Sequence, residues 1–344
     1  MCVIPLNVWV ITHIDVLLKV KIIKWLQLEY TLQKNSRRWY YMVEKTIKRS
    51  VKCTGEGLHT GRKVCVIFHP APVGWGVVFL KKVNNKLIYI KADVKNVVST
   101  DYATNIGSNG EMIGTVEHAL AAIRGLGIDN VIIEVKGDEL PVLDGSARPF
   151  VELLESAGIC FTNRPKVKYL LKKSLIWGDF KRWIRAYPAR GFKVDYIIDF
   201  SGTPIGKQAF FYIHSANEFK QKVAPARTFG FLNVVHEMQE KGLALGGSLD
   251  NAVVFDESGV LNSGGLRFQD EPVRHKLLDF IGDFSLLGRE VEGYFQVYCS
   301  GHAFNASFVR YLLDNRHEFL DNVSQVPSKS GRGYVYERIL ATFN

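Results

Sequence analysis

The sequence predicts an α+β fold of two similar domains, each a β-sheet backed by helices. Strand-like runs followed by paired helical patterns occur twice along the chain. Between the two occurrences, the polar stretch from Thr162 to Lys168 contains Asn163-Arg164-Pro165, breaks the periodicity and marks a domain boundary. At 344 residues, 47% of them hydrophobic and 12% aromatic, the chain has the material for one or two full cores. No repeat is visible residue by residue, so the similarity of the halves rests on element order.

The first domain, 42–163, opens with a strand from Thr46 to Cys53, a Gly-rich turn from Thr54 to Gly61 and a second strand from Val64 to His69. These glycines read as turn formers: their spacing, G-x-G-x-x-x-G, differs from the dinucleotide fingerprint, and a strand follows them where that fingerprint needs a helix. Strands are expected at 76–81 and 87–91, then a helix over 115–124, a strand over 130–135 and a helix over 147–157 closed by Gly158. The second domain, 164–324, restarts with strands at 168–176, 182–187 and 192–199. Helices are expected at 215–222, 272–287 and 302–313, and the residues from 325 to 344 read as a loosely held tail.

A formal charge of +10 fits acidic partners such as phosphates, nucleic acid or an anionic membrane surface, and says nothing of fold. Nucleic-acid binding calls for Lys and Arg interleaved with aromatics on one face. Lys181-Arg182-Trp183-Ile184-Arg185 is the one such run, and a solvated strand explains it equally well. The five cysteines, at 2, 53, 65, 160 and 299, form no C-x-x-C, which argues against a disulfide framework or a cysteine metal site and for reduced cytoplasmic thiols. Residues 1–41 stand apart: apolar patches such as Val8-Trp9-Val10-Ile11 are interrupted by His13, Asp15, Lys19, Lys21 and Lys24. With six Lys/Arg against two Asp/Glu, this segment supplies +4 of the net charge. It is too broken for a membrane span, and it reads either as an extension ahead of a functional start at Met42 or as a peripheral amphipathic anchor.

The chemistry concentrates in Val273-Arg274-His275-Lys276-Leu277-Leu278-Asp279-Phe280-Ile281-Gly282-Asp283-Phe284. On a helix, His275, Asp279 and Asp283 fall at i, i+4 and i+8 in one line, with apolar residues over most of the remaining circumference. Such a line is either the exposed face of an amphipathic helix or a buried stripe that needs partners, and a divalent metal satisfies several buried ligands at once. In Thr115-Val116-Glu117-His118 a Glu adjoins a His at a helix start, so the two side chains point in different directions. His118 is either a satisfied structural histidine or the third ligand beside His275 and Asp279; that set would leave a zinc position open for water, with Glu117 facing it. His302, in Ser300-Gly301-His302-Ala303, follows a strand-like run and is either a helix cap or a general acid whose far nitrogen Asp283 holds.

The runs T-V-E-H-A-L-A-A (115–122), G-L-G-I-D-N (125–130), P-V-L-D-G-S-A (141–147), A-R-T-F-G-F (226–231), G-L-A-L-G-G-S-L-D-N (242–251), V-R-H-K-L-L-D-F-I-G-D (273–283) and S-G-H-A (300–303) share an order and spacing with a known family. From Met42 to about the last twenty residues, the chain resembles the UDP-3-O-acyl-N-acetylglucosamine deacetylases, zinc enzymes of lipid A synthesis. The turn G-L-H-T-G (57–61), which carries His59, matches the N-terminal hairpin of that family.

The resemblance implies two domains packed as a sandwich with the active site between them, in a cytoplasmic monomer of a Gram-negative bacterium. It implies that Zn2+ is held by His118, His275 and Asp279, with Glu117 as general base, His302 backed by Asp283 as proton donor or Glu117 in its place, and Thr228 as oxyanion stabiliser. Lys276, Phe229, Phe200 and His59 become substrate contacts, Phe200 as the ring on which uracil stacks. The insert at 229–262 becomes the acyl-chain passage, although Phe229, Phe231, Leu232, Leu243, Leu245, Val253 and Val254 read equally well as core of a β-α-β unit. Val234 stands where family members often carry Asp. The implied partner is a lipid-bearing UDP-sugar, with transient contact at the inner membrane surface and no nucleic acid. A zinc peptidase is the other enzymatic reading, and the lack of H-E-x-x-H speaks against it.

Overall fold

A computed structural model describes residues 43–327 and 334–338. The expected extension 1–41 lies outside the described residues. In the first half the strands are β1 (Val43–Ile47), β2 (Val51–Glu56), β3 (Lys63–Pro70), β4 (Val77–Val83), β5 (Lys86–Lys91), β6 (Val97–Ser99), β7 (Asn105–Ser108), β8 (Glu111–Ile113), β9 (Val131–Lys136) and β10 (Ile159–Pro165). Its helices are α1 (Glu117–Gly125) and α2 (Arg148–Ala157). The second half carries β11 (Lys168–Leu171), β12 (Leu175–Gly178), β13 (Trp183–Tyr187), β14 (Phe192–Phe200), β15 (Gly206–Ile213), β16 (Phe229–Phe231), β17 (Val253–Asp256), β18 (Gly259–Val260), β19 (Val291–Tyr298) and β20 (Leu320–Pro327). Its helices are α3 (Leu232–Glu240), α4 (Glu271–Ser285) and α5 (His302–Asp314). The protein is therefore α+β, with several sheets and helices.

The first sheet has the order β2-β3-β9-β4-β5, antiparallel except for the parallel pair β4–β9. Alternation places it: on β3, Val64, Val66 and Phe68 are buried, and on β9, Val131, Ile133 and Val135 are, with the residues between them more exposed. Pro149 at the start of α2 has its ring-fixed φ in the helical range, and Gly158, at φ 73°, ends the helix in a conformation open to glycine. The second sheet follows β12-β13-β19-β11-β20, with β14 parallel to β19 and β15 on its far side. One apolar core is continuous from Ile47 to Leu320, across the expected boundary at 163/164.

Several stretches differ from the sequence expectation. The single strand over 46–53 is two, because exposed Lys48-Arg49-Ser50 turns the chain; β1 then pairs with β10 and β2 with β3. The polar stretch at 162–168 is partly β10, which pairs with β1 and is exposed at most of its positions on both faces, so that no alternation shows. The helix at 215–222 is a short turn, Ala216–Glu218, running into a π-type turn, Phe219–Val223. The small sheet β6-β7-β8, strand β15, and β20 were not anticipated, nor was the division of 168–176 into β11 and β12. Within the expected tail, β20 runs to Pro327 and a further strand covers Tyr334–Arg338; its other residues lie outside the described ones.

Candidate active site

Helix α4 settles the question of the polar line. His275, Asp279 and Asp283 are 2%, 3% and 0% exposed, so the line faces protein and not solvent. It faces α1. The two helices cross so closely that a Cβ on Gly282 would lie 2.2 Å from the Glu117 carbonyl oxygen. That approach, open only to glycine, sets His118 against His275 and Asp279.

One ligand atom from each of His118, His275 and Asp279 lies within 4.8 Å of the others. His275 Nε2 is 3.3 Å and His118 Nε2 3.7 Å from Asp279 Oδ1, and the two imidazoles meet edge-on at 87°. The Nδ1–H of His275 donates to the Ala226 carbonyl at 3.0 Å, which leaves the Nε2 lone pair directed at the cluster. Burial and the neighbouring His275 lower His118 to about 3, so its imidazole is neutral as a ligand must be; burial likewise lowers His275. Burial opposes ionisation of Asp279, but His275 and Lys276 outweigh it and hold the carboxyl far below its ordinary range. Asp279 Oδ1 is buried without a hydrogen-bond partner, an orphaned acceptor that a divalent cation would satisfy. The donor set fits a metal ion with an open coordination position.

Beside this set stands an acid–base pair. Glu117, first residue of α1, is buried and pushed up to about 7 by desolvation, against the pull of His302. Its Oε1 lies 4.0 Å from His302 Nε2. Burial would lower the His302 imidazolium, but Asp283, hydrogen-bonded to Nδ1 at 2.9 Å, raises it to about 9 with help from Asp279 and Glu117. Near neutral pH a poised carboxyl therefore faces a charged imidazolium.

Both groups open onto a cavity of about 460 Å³ that also holds His118, His275, Lys276, Asp279, Thr228, Phe229 and His59. Lys276 Nζ reaches Asp279 Oδ2 at 2.9 Å. Thr228 is pinned between the Gly145 turn and β17, its N–H donating to the Gly145 carbonyl and its carbonyl accepting from the Val253 N–H, both at 2.8 Å. Both ring nitrogens of His59 are buried without partners. Phe200 stands outside the lining and packs against Phe229 and Phe231 at 5.9 Å. From the insert, Phe229, Leu232, Val234 and Val254 line the cavity, whereas Val253 is core and Leu245 is 54% exposed.

Sequence reading missed the groups that hold the site. Glu139 accepts from the His59 and Thr60 N–H groups and the Thr60 and Thr115 hydroxyls, at 2.8–3.0 Å, tying the His59 turn to the residue two before Glu117. Arg227 forms a bidentate pair with Glu271 at 2.9 and 3.0 Å, anchoring α4 to the segment that leads into the insert. Neither has a periodic signature; Arg227 lies in the A-R-T-F-G-F run, which was its only signal. On the other side of the molecule's chemistry, Arg185 of the basic-aromatic run lies 4.4 Å over the Trp183 ring on β13.

Two buried histidines and a carboxylate that could hold a metal ion, beside a carboxylate–imidazolium pair at the end of an apolar cavity, are the groups a metal-dependent hydrolase requires. The family described as UDP-3-O-acyl N-acetylglycosamine deacetylase matches residues 44–314, and the chain belongs to it. The UDP-3-O-acyl-N-acetylglucosamine deacetylase of Oleidesulfovibrio alaskensis is 45% identical over 282 residues, covering 82% of this chain and 92% of that one. The enzymes of that name from Histophilus somni and Haemophilus influenzae are 43% and 44% identical, each covering 85% of this chain and 97% of theirs.

Proposed function

We propose that this protein hydrolyses the N-acetyl amide of UDP-3-O-acyl-N-acetylglucosamine, releasing acetate and UDP-3-O-acyl-glucosamine, in lipid A synthesis. The observation that carries the reading is the convergence of the metal-ligand set and the acid–base pair at one end of an apolar cavity. His118, His275 and Asp279 would hold Zn2+, which would supply Lewis acidity toward the acetamide carbonyl and the attacking water. Glu117 takes a proton from that water as its oxygen bonds to the carbonyl carbon. The Thr228 hydroxyl donates to the developing oxyanion. As the C–N bond breaks, the electron pair stays on nitrogen and His302, oriented by Asp283, gives it a proton. Lys276 and His59 contact the sugar and its phosphates, and Phe229, Leu232, Val234 and Val254 cover the acyl chain. In this reading Phe200 stacks on uracil, a role for which its place behind Phe229 calls for a shift of the ring.

The same reading makes 42–163 and 164–324 two similar halves packed as a sandwich about the site, with 229–262 as acyl-binding insert, 1–41 as an extension ahead of Met42 and 325–344 as a tail. It places a monomer in the cytoplasm, where UDP-sugars are made, with transient contact at the inner membrane surface. Among the described residues no helix is long and apolar enough to cross a membrane. Purified protein should release acetate from the UDP-sugar, lose turnover with a chelator and regain it with zinc. Turnover indifferent to chelation would reject the metal-dependent reading.

A further inference from the structure

Thr104 is fully buried, and its N–H and its hydroxyl both touch the acid–base machinery. Its N–H donates to Glu117 Oε2 at 3.0 Å, and its carbonyl accepts from the N–H of Val116, the residue before Glu117, at 3.1 Å. Its hydroxyl lies 2.5 Å from Asp283 Oδ1 and 3.2 Å from His302 Nδ1. A hydroxyl has one proton to donate. His302 Nδ1 directs its own hydrogen to Asp283 Oδ2 at 2.9 Å, so the Thr104 proton goes to Asp283 Oδ1.

Asp283 has no solvent exposure and accepts from three donors: the Thr104 hydroxyl, His302 Nδ1–H and Asn305 Nδ2–H, the last at 2.8 Å. His302 and Asn305 both hold Oδ2, so without the Thr104 hydroxyl Oδ1 would have no donor and the carboxylate could turn about its Cβ–Cγ bond, carrying Oδ2 out of line with the imidazole. The hydroxyl on Oδ1 prevents that turn. Thr104 also joins parts of the chain that are far apart: Asp283 on α4 and Glu117 on α1 are 166 positions distant, and this one residue bonds to both.

We propose that Thr104 is a positioning residue that ties the general base to the proton donor's carboxylate, holding Glu117 through its backbone and His302 through Asp283. The inference rests on the deacetylase reading above. Because the Glu117 contact comes from the backbone, Thr104→Val removes only the Asp283 arm and leaves side-chain shape nearly unchanged.

The test measures kcat, KM and zinc content of the full-length enzyme for wild type, Thr104→Val and Thr104→Ser. Loss of an orienting partner typically costs about 10- to 100-fold, so Thr104→Val should lower kcat by at least about tenfold with KM within about twofold and zinc retained. Thr104→Ser, which keeps the hydroxyl, should recover most of that loss. In an Asp283→Asn background the valine substitution should cost under about twofold, since the hydroxyl acts through that carboxylate. If Thr104→Val does not fold, Thr104→Ala carries the same comparison. The inference is overturned by unchanged kcat, by a loss confined to KM, by failure of serine to rescue, or by an undiminished cost in the Asp283→Asn background. A wild-type enzyme inert toward the UDP-sugar overturns the deacetylase reading and this inference with it; an active wild type with an indifferent Thr104→Val overturns this inference alone.

Discussion

Helices α4 and α3 both wall the cavity, and they are built in opposite ways. Twelve of the fifteen residues of α4 are buried, so its His275, Asp279 and Asp283 are held by core packing on nearly every side. None of the nine residues of α3 is buried, although Leu232, Val234, Val235 and Met238 face the same cavity. The chemical wall is thus fixed by the continuous core, while the apolar wall hangs on the small sheet β16-β17-β18. In the proposed reaction, proton transfer needs groups placed to fractions of an ångström, whereas the acyl chain would be bound by non-directional burial that tolerates adjustment. The Arg227–Glu271 pair joins the two, linking the segment that enters the insert to the first turn of α4.

The largest effect is expected at the proposed metal ligands. Asp279→Ala should abolish stoichiometric zinc and, with it, turnover, as read by metal analysis of the purified variant; full zinc occupancy would remove Asp279 from the ligand set. Glu117→Ala should keep its zinc and lose about 10²- to 10⁴-fold in kcat, the usual contribution of a general base. Unchanged turnover in that variant would end the proposed mechanism.

The clamp between the walls should show in stability. Burial would raise the Glu271 carboxyl, but hydrogen bonds from Arg227 and from the Arg227 and Arg267 N–H groups hold it below its ordinary value. A carboxyl depressed in the folded state contributes stability that is present above the unfolded pKa and lost as pH falls through the folded one. Glu271→Gln should therefore cost about 3 kcal/mol at neutral pH, the cost of breaking a buried pair. The gap should close as pH falls through the folded Glu271 range; urea melts showing a pH-independent gap would contradict this.

The smallest effect on folding is expected in α3. Met238→Phe should change stability by less than about 0.5 kcal/mol, as surface substitutions do. It should shift the ratio of kcat/KM between long and short acyl chains by roughly tenfold, the scale set by one or two methylene contacts. An unaltered preference would place the acyl chain away from Met238.

Much of the fold was legible because one-sided burial writes a period into the chain. Strands β3, β9 and β14 and helices α1, α2, α4 and α5 sit within a few residues of their expected places. Where both faces are wet, as on β10, or where the element is very short, as in β6-β7-β8, no period exists to read. The line His275–Asp279–Asp283 was visible from helical spacing alone, but its spacing was the same for a buried stripe as for a solvated face.

Taken by itself, the sequence determined the local elements, the residue types at the site and, through seven ordered motifs, the family to which the chain belongs. The tertiary structure alone decided that α1 and α4 cross over Gly282 closely enough to bring His118 to His275 and Asp279, that the polar line is buried, and that Thr104, Glu139 and Arg227 brace it. The reason is physical. Periodicity reports which side of an element faces the core, whereas a metal-ligand set or a hydrogen-bonded brace depends on distances between side chains far apart in the chain, and these exist only once the elements have packed.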